Sequence, residues 1–347
     1  MSDQNTPNPT PDQTPPPSPA LLFDAMNAYQ RSKAIQAAAE LDVFTAIGEG
    51  HDTPPKLAER CDASERGLRT LCDFLVIMGF LTKNGQQYSL TPDSAMFLDR
   101  RSPAYMGSAV EFLLSPPLLE AFQDLTAVVR QGGTVLPEEG SITPENPMWV
   151  TFARAMASLM MMPAQLLTNL VSFEPNRPLK ILDIAAGHGV FGIAFAQRYP
   201  NAEVVALDWA SVLEVAQENA EKMGVADRYH KLPGSAFEVD YGSGYDLILL
   251  TNFLHHMDPP AIEGLLRKIH AALADDGKVI TLEFIPNQDR VSPPTSAAFS
   301  LIMLATTPHG DAYTFPEFES MFRNAGFSRS EFHPLPPTMQ QVVVSYK

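Results

Sequence analysis

The run Asp183-Ile184-Ala185-Ala186-Gly187-His188-Gly189-Val190-Phe191-Gly192 follows an apolar strand pattern, opens a helical one and contains a literal G-x-G-x-x-G. Glycines there let the backbone approach a ligand, and a helix start offers free N–H groups. Alone, the pattern nominates a nicotinamide dinucleotide as readily as any other nucleotide ligand. Two carboxylates narrow the choice. Asp183 stands at the strand end just before the turn, where it could hold an ammonium group; a cap or turn-forming role is the plainer alternative. Asp208 ends the next strand, 25 residues on, where a carboxylate takes a ribose diol. A ligand with an amino-acid end and a nucleoside end uses both, and that ligand is S-adenosylmethionine (SAM). NAD has no ammonium for Asp183. Farther along stands the pair His255-His256. A metal site is one reading of such a pair, but no Cys or acidic residue stands at ligand spacing, so no metal is expected.

These residues need a frame. KILDIAAGHGVFGIAFAQRYP reads as strand, Gly-rich turn and helix, and EVVALDW as a strand with a helix over 211–223 after it. YDLILLTNF is a strand followed by a helix over 259–274, and KVITLEFI a strand followed by a helix over 295–306. A helix over 315–325 and the strands SEFHPL and QQVVVSYK close the pattern. Strands alternating with helices predict a Rossmann-like, doubly wound, mostly parallel α/β sheet over residues 176–347. Only a short Pro-containing link, Pro334 to Pro337, joins the last two strands, which predicts antiparallel pairing.

Ahead of that domain, residues 21–102 read as an α-rich winged helix. A helical stretch from Leu21 is ended by Gly48 and Gly50, and TPPKLAERC is a short helix. DASERGLRTLCDFLVIMGF is a second, capped by Asp62 or Ser64 and ended by Gly79. A hairpin turns around Asn84-Gly85. Residues 103–175 are helical again, a connector with LLEAFQDLTAVVRQGG and PMWVTFARAMASLMMMPAQLLTNLV as its main segments. The second carries Met148, Met156, Met160, Met161 and Met162. Methionine fills irregular core gaps, so core packing is the first reading. The wall of a pocket for a flat apolar ligand is the second.

Composition excludes several functions. The 347 residues carry 24 Lys+Arg against 40 Asp+Glu, a net charge of −16, which opposes binding to nucleic-acid phosphates and to anionic lipid. Winged helices often bind DNA, but residues 22–100 hold eight Lys+Arg against eleven Asp+Glu, a net of −3. The second helix of the pair is apolar nearly all round its C-terminal end, from Phe74 to Met78. A recognition helix keeps a polar face for base edges, so packing or dimerisation is expected instead. No apolar run approaches the roughly 18 residues that span a bilayer. Two cysteines, Cys61 and Cys72, form no disulfide framework, and residues 1–20 lack Lys, Arg and an apolar signal core, so a reducing cytoplasm is the expected location. Seven prolines in those first 20 residues predict a disordered tail.

From about Ala25 to Lys347 the sequence resembles the SAM-dependent small-molecule O-methyltransferases of the plant-phenolic and acetylserotonin type, in their bacterial branch. LDIAAGHG resembles their first SAM motif, with Ala185 where a glycine is usual. ALDWASVL resembles the second, and PGSAFEVDYG the adenine-contacting segment, with Ser235 where plant members carry Asp. NFLHHMDPP resembles the catalytic segment. TLEFIPN places Glu283 where the family has an acidic residue. GDAYTFPEFESMFRNAGF resembles the last block of the family pattern, with Ala312 where plant enzymes have a second glutamate. The winged-helix segment resembles the dimerisation domain.

The resemblance implies that Asp183, Ala185, Gly187, Gly189, Asp208, Trp209, Ser235, Ala236, Phe237 and Thr251 hold SAM. It implies His255 as general base and Glu283 as the group that orients it. It implies an acceptor pocket walled by Phe152, Met156, Met160, Met303 and Thr307, a small and aromatic acceptor, and a homodimer through the N-terminal domain. His256, where plant enzymes carry Asp, is expected at a helix start rather than as a second base. His188 is expected to matter through its backbone.

That chemistry is sound on physical grounds. The methyl of a sulfonium is already activated, so the protein supplies alignment and a better nucleophile. A phenol has a pKa near 10, and a histidine at the hydroxyl takes the proton as the methyl moves. A carboxylate holds such a histidine in one tautomer. The residues stand past the carboxyl ends of neighbouring strands, the edge where doubly wound sheets bind ligands. Two rivals stay open at this point: an NAD-dependent oxidoreductase using the same turn, and a SAM-sensing winged-helix regulator without catalysis.

Overall fold

The computed structural model describes residues 17–347; the disorder expected of the Pro-rich tail falls, through residue 16, outside the described residues. The chain divides into two compact units, one ending at Ala95 and one spanning Met96–Lys347.

The first unit holds helices Ala20–Glu40, Val43–Gly48, Pro54–Arg60 and Glu65–Ile77, then a hairpin of β1 (Leu81–Asn84) and β2 (Gln87–Leu90). This is the winged-helix order. The expected single helix from Leu21 to Gly48 is two helices. Asp42 sits in the left-handed region at φ +56°, and its carboxylate accepts the Thr45 hydroxyl at 2.6 Å. A short polar side chain reaches that conformation at low cost, so the break is written in one residue. Ser64, and not Asp62, caps Glu65–Ile77 by accepting the Gly67 N–H at 3.0 Å. That helix buries Leu68, Cys72 and Leu75 but leaves Ile77 79% exposed.

The second unit is built on a seven-stranded sheet in the order β5-β4-β3-β6-β7-β9-β8. Its strands are β3 (Leu179–Ile184), β4 (Ala202–Asp208), β5 (Tyr229–Pro233), β6 (Tyr245–Thr251), β7 (Leu273–Glu283), β8 (Arg329–Pro334) and β9 (Gln341–Tyr346). β9 pairs antiparallel with both β7 and β8, and every other pairing is parallel. Sequence reading missed β5. Tyr-His-Lys-Leu-Pro is a short, largely exposed edge strand with no apolar run to announce it. The expected helix through LLEAFQDLTAVVRQGG is also two, Pro116–Ala121 and Leu125–Gln131, because the Asp124 carboxylate caps the Ala127 N–H at 3.0 Å and restarts it.

Both faces of the sheet are covered, as parallel strands require. Ile181, Val204, Leu247, Leu249, Ile280 and Leu282 face one core, which Met156, Met160 and Leu167 of helix Met148–Leu167 share. Leu182, Ile184, Ile248 and Leu250 face the other, with Ile262, Leu265 and Phe318. The period-2 alternation of β3 and β6 thus feeds both layers. Each buried Leu or Ile contributes on the order of 1.5–3 kcal/mol. Contrary to the expectation from sequence, helix Met148–Leu167 is long and apolar enough by composition to cross a membrane; here seven of its residues are buried in this unit. Strand order reverses at β3, whose neighbours β4 and β6 are reached by crossovers in opposite directions. A crevice opens at such a switch point, at the carboxyl ends of the strands, and those ends carry Asp183, Asp208, Thr251 and Glu283.

Candidate active site

The turn after β3 is tight. Gly187 and Gly189 sit at φ +57° and +76°, and a methyl group on Gly189 would meet the Tyr229 hydroxyl at 2.5 Å. Ala185 is left-handed too, at φ +54°, which is why glycine suits that position. Asp183 is fully buried. Its Oδ2 accepts the Gly192 N–H at 3.0 Å and stitches β3 to helix Val190–Arg198, while Oδ1 has no partner. Burial pushes this carboxyl up to about 8 against the lowering bond from Gly192, and Asp208 adds to the rise. The hydroxyl of Tyr229 is likewise buried without a partner.

Asp208 grips the turn from β4. Its Oδ2 accepts the Gly187 N–H at 2.8 Å and its Oδ1 the Trp209 N–H at 2.7 Å. Burial pushes it up to about 6 despite both bonds. The Gly234 N–H donates to the Asp208 carbonyl at 2.9 Å, so Ser235, Ala236 and Phe237 follow directly beside the β4 end. Phe237 is 48% exposed. The Lys268 ammonium holds this loop through the carbonyls of Ala236, Phe237 and Val239 at 3.2, 3.0 and 2.6 Å.

Past β6, Thr251 is buried and Asn252 turns at φ +54°, its N–H donating to the Leu282 carbonyl at 2.8 Å. A single 3₁₀ turn, Leu254–His256, then presents the histidines. Glu283, at the end of β7, binds this turn three times. Its Oε1 accepts the Phe253 and Leu254 N–H groups at 2.9 and 2.8 Å, and its Oε2 lies 2.5 Å from His255 Nδ1. Both side chains are buried. An ionised carboxylate only accepts, so in this contact the His255 ring is the donor and Nε2 points away from Glu283. No described residue bonds to Nε2, and it is not among the polar atoms closed off from solvent.

His256 is not at a helix start. Asp258 caps helix Pro259–Ala272 by accepting the Ala261 N–H at 2.9 Å, and His256 instead closes the 3₁₀ turn. Its ring lies 4.3 Å from that of His255 and meets Trp149 edge-on at 5.3 Å. The His188 ring is engaged as well as its backbone. Nδ1 accepts the Val190 N–H at 3.3 Å, the ring stacks on Phe152 at 6.1 Å, and burial pushes it down to about 4.

The pocket candidates are distributed unevenly. Phe152 lies over the turn, 3.7 Å from where a Gly187 methyl would stand. The Met160 sulfur accepts from Asn252 Nδ2 at 3.9 Å. Met156 packs in the core cluster with Phe112 and Ala186. Met303 is buried one helical turn beyond Phe299, whose ring meets His255 edge-on at 4.8 Å. Thr307 is fully buried, its hydroxyl donating to the Met303 carbonyl and accepting the Gly310 N–H. Sequence reasoning missed Trp149, Tyr229, Asn252, Phe299 and Gln340, whose Nε2 donates to Asn252 Oδ1 at 2.5 Å. Helical spacing from Met303 would have found Phe299; Gln340 carries no local signal.

The site suits a cationic nucleoside. Among the described residues, no Lys or Arg bonds to Asp183, Asp208 or Glu283, and Asp183 Oδ1 has no partner. Among the described residues, no group of three or more His, Cys, Asp and Glu could hold a metal ion.

Residues 125–328 match the O-methyltransferase domain and residues 23–100 the O-methyltransferase dimerisation domain. The chain belongs to the O-methyltransferase family, and its cofactor is SAM. A crystal structure of a candidate O-methyltransferase from Nostoc punctiforme is 62% identical, with a TM-score of 0.91, covering 95% of this chain and 99% of that one. Human N-acetylserotonin methyltransferase in complex with SAM shares the fold at 21% identity, with a TM-score of 0.81 and 94% and 97% coverage. The tetracenomycin polyketide synthesis 8-O-methyl transferase TcmO of Streptomyces glaucescens is 26% identical over 317 residues, 89% of this chain and 91% of that protein. Membership in this family sets aside the oxidoreductase and the non-catalytic regulator.

Proposed function

We propose that the chain moves a methyl group from SAM to the hydroxyl of a small aromatic molecule, with His255 as general base. The bond from His255 Nδ1 to Glu283 Oε2 carries this reading, because it leaves Nε2 as an open lone pair at the switch-point crevice. SAM supplies an electrophilic methyl on a sulfonium. Asp208 takes the ribose hydroxyls with the lone pairs its two backbone bonds leave free, and Ser235–Phe237 border the base. Gly187 and Gly189 let the backbone close on the ligand. A bound cation favours the charged forms of Asp208 and Asp183, which burial otherwise disfavours.

At the acceptor, His255 Nε2 takes the hydroxyl proton as the oxygen–carbon bond forms and the sulfur–carbon bond breaks. Glu283 stabilises the imidazolium so made and prevents the ring from turning. The aromatic acceptor is supported by the rings of Trp149, Phe152 and Phe299 around the histidines, and by relatives named for tetracenomycin polyketide synthesis and N-acetylserotonin.

The test is a radiolabelled methyl-transfer screen over phenols, catechols, indoles and polyketides, repeated with His255→Gln. Turnover should fall about 100- to 10,000-fold, while calorimetry shows SAM affinity nearly intact. A His255→Gln enzyme with full turnover at neutral pH means that proximity alone drives the transfer.

A further inference from the structure

Three imidazoles near the Gly-rich turn and the catalytic segment share one arrangement. In each, Nδ1 faces inward and Nε2 keeps access to open space. His255 Nδ1 is bonded to Glu283, and His188 Nδ1 accepts the Val190 N–H. His256 Nδ1 is closed off with no partner at all, whereas its Nε2 is not closed off and bonds to no described residue. The rings also form an unbroken path. Phe152 stacks on His188 at 6.1 Å and meets Trp149 at 5.6 Å, Trp149 meets His256 at 5.3 Å, and His256 lies 4.3 Å from His255. Among the described residues, no Lys or Arg bonds to or stacks on any of these rings.

The tautomers of the two neighbouring histidines are opposite. Glu283 forces the proton of His255 onto Nδ1, so Nε2 accepts. Burial, with His255 beside it, holds the His256 ring well below the usual imidazole range, so it is neutral at neutral pH. A buried N–H without a partner is rarer and costlier than a bare acceptor. The single proton of His256 therefore belongs on the open Nε2, which donates. One ring takes a proton and its neighbour offers one.

Resting on the reading of His255 as base, we propose that His256 is a specificity-determining residue that donates from Nε2 to a carbonyl oxygen beside the reacting hydroxyl, so that the acceptor is a planar, uncharged aromatic with hydroxyl and carbonyl on neighbouring positions. Such a hydroxyl is ordinarily tied to its own carbonyl by an internal hydrogen bond and is a poor nucleophile. Donation from His256 to the carbonyl competes for that bond and frees the hydroxyl for His255 Nε2. With no Lys or Arg among the described residues bonded to or stacked on these rings, an uncharged acceptor fits this path better than a carboxylate.

Ortho-hydroxyacetophenone and its para isomer test this, since they carry the same groups in different relation. The wild-type enzyme should favour the ortho isomer at least about tenfold in kcat/KM. His256→Leu should erase that ratio, lowering ortho kcat/KM at least about tenfold more than para, and His256→Gln, which keeps an N–H near the same place, should restore it. Long-range proton–nitrogen NMR of the intact protein should show the His256 proton on Nε2. An ortho preference that survives His256→Leu, no ortho preference in the wild type, or an Nδ1-protonated His256 overturns the assignment. The base reading is judged separately: it stands if His255→Gln abolishes transfer to whichever isomer is used and falls if it does not.

Discussion

At the scale of single residues, the site separates groups that hold from groups that react. Asp208 holds. Removing its carboxylate leaves the Gly187 and Trp209 N–H groups without their acceptor, and on the proposed reading the ribose diol too, and bonds to a charged partner are worth about 1.5–3 kcal/mol. Asp208→Ala should weaken SAM by at least about tenfold in calorimetry. Because burial sets its carboxyl at about 6 and the diol prefers the charged form, SAM affinity of the wild type should fall as pH drops through 6. Asp183 acts on stability. Its folded value of about 8 lies far above the roughly 3.9 of an unfolded chain, so the native state binds the extra proton across that window. Unfolding then releases a proton, and stability of the ligand-free protein declines as pH rises from 6 to 8. Asp183→Asn should flatten that decline in thermal melts at several pH values; an unchanged slope assigns it to other groups. The places of His255, Glu283 and Asp208 at strand ends were legible in the sequence because motif and strand end coincide. The opposed tautomers of His255 and His256 were not, because they depend on which nitrogen the fold encloses.

At the scale of elements, periodicity placed the helices of the sheet domain and most of its strands to within a residue or two, since strands buried on both faces read as apolar runs; β7 begins at Leu273, five residues before the expected Lys278, through the polar stretch Asp275-Asp276. It failed where one polar residue restarts a helix, at Asp42 and Asp124, and at β5, whose residues carry no pattern of their own. Gln340 and Trp149 reach the site from far along the chain, which no local pattern encodes. The turn after β3 carries a testable strain. Ala185 is held left-handed at φ +54°, at a cost of roughly 1–2 kcal/mol for a residue with a Cβ. Ala185→Gly should be neutral or stabilising by up to about 1 kcal/mol in denaturant melts, after the entropic cost of glycine is subtracted. Gly189→Ala should do the reverse, because the new methyl meets the Tyr229 hydroxyl at 2.5 Å and the Ala216 Cβ at 2.9 Å. It should lose SAM binding along with stability. A Gly189→Ala protein with wild-type melting would mean that the turn relaxes freely.

At the scale of the molecule, the N-terminal unit keeps much apolar surface uncovered. Leu21, Leu22, Phe23, Met26 and Tyr29 of helix Ala20–Glu40 are 56–81% exposed, and Ile77 79%. Exposed apolar surface of this extent marks a partner site, and residues 23–100 match a dimerisation domain. Light scattering on the 38.0 kDa chain should give about twice that mass, and Met26→Glu with Ile77→Glu should shift it toward the monomer. A monodisperse monomer for the unaltered protein overturns the dimer. The acidic balance of the chain argues in the same direction as the uncovered apolar face: duplex DNA should not produce a salt-sensitive complex.

Glu283 ties down the 3₁₀ turn through two backbone N–H groups that belong to Phe253 and Leu254, and only its other oxygen serves the imidazole. The turn therefore does not depend on His255 for its shape. A descendant sequence can exchange that histidine for another polar residue and still inherit the loop, the Asp208 bonds to the Gly-rich turn and the ring-lined path beside it. Loss of Glu283 offers no such route, because the turn itself goes with it. On the proposed reading of His255 as base, the fold makes its proton chemistry the replaceable part, and a change of reaction is one substitution away from a turn that Glu283 keeps intact.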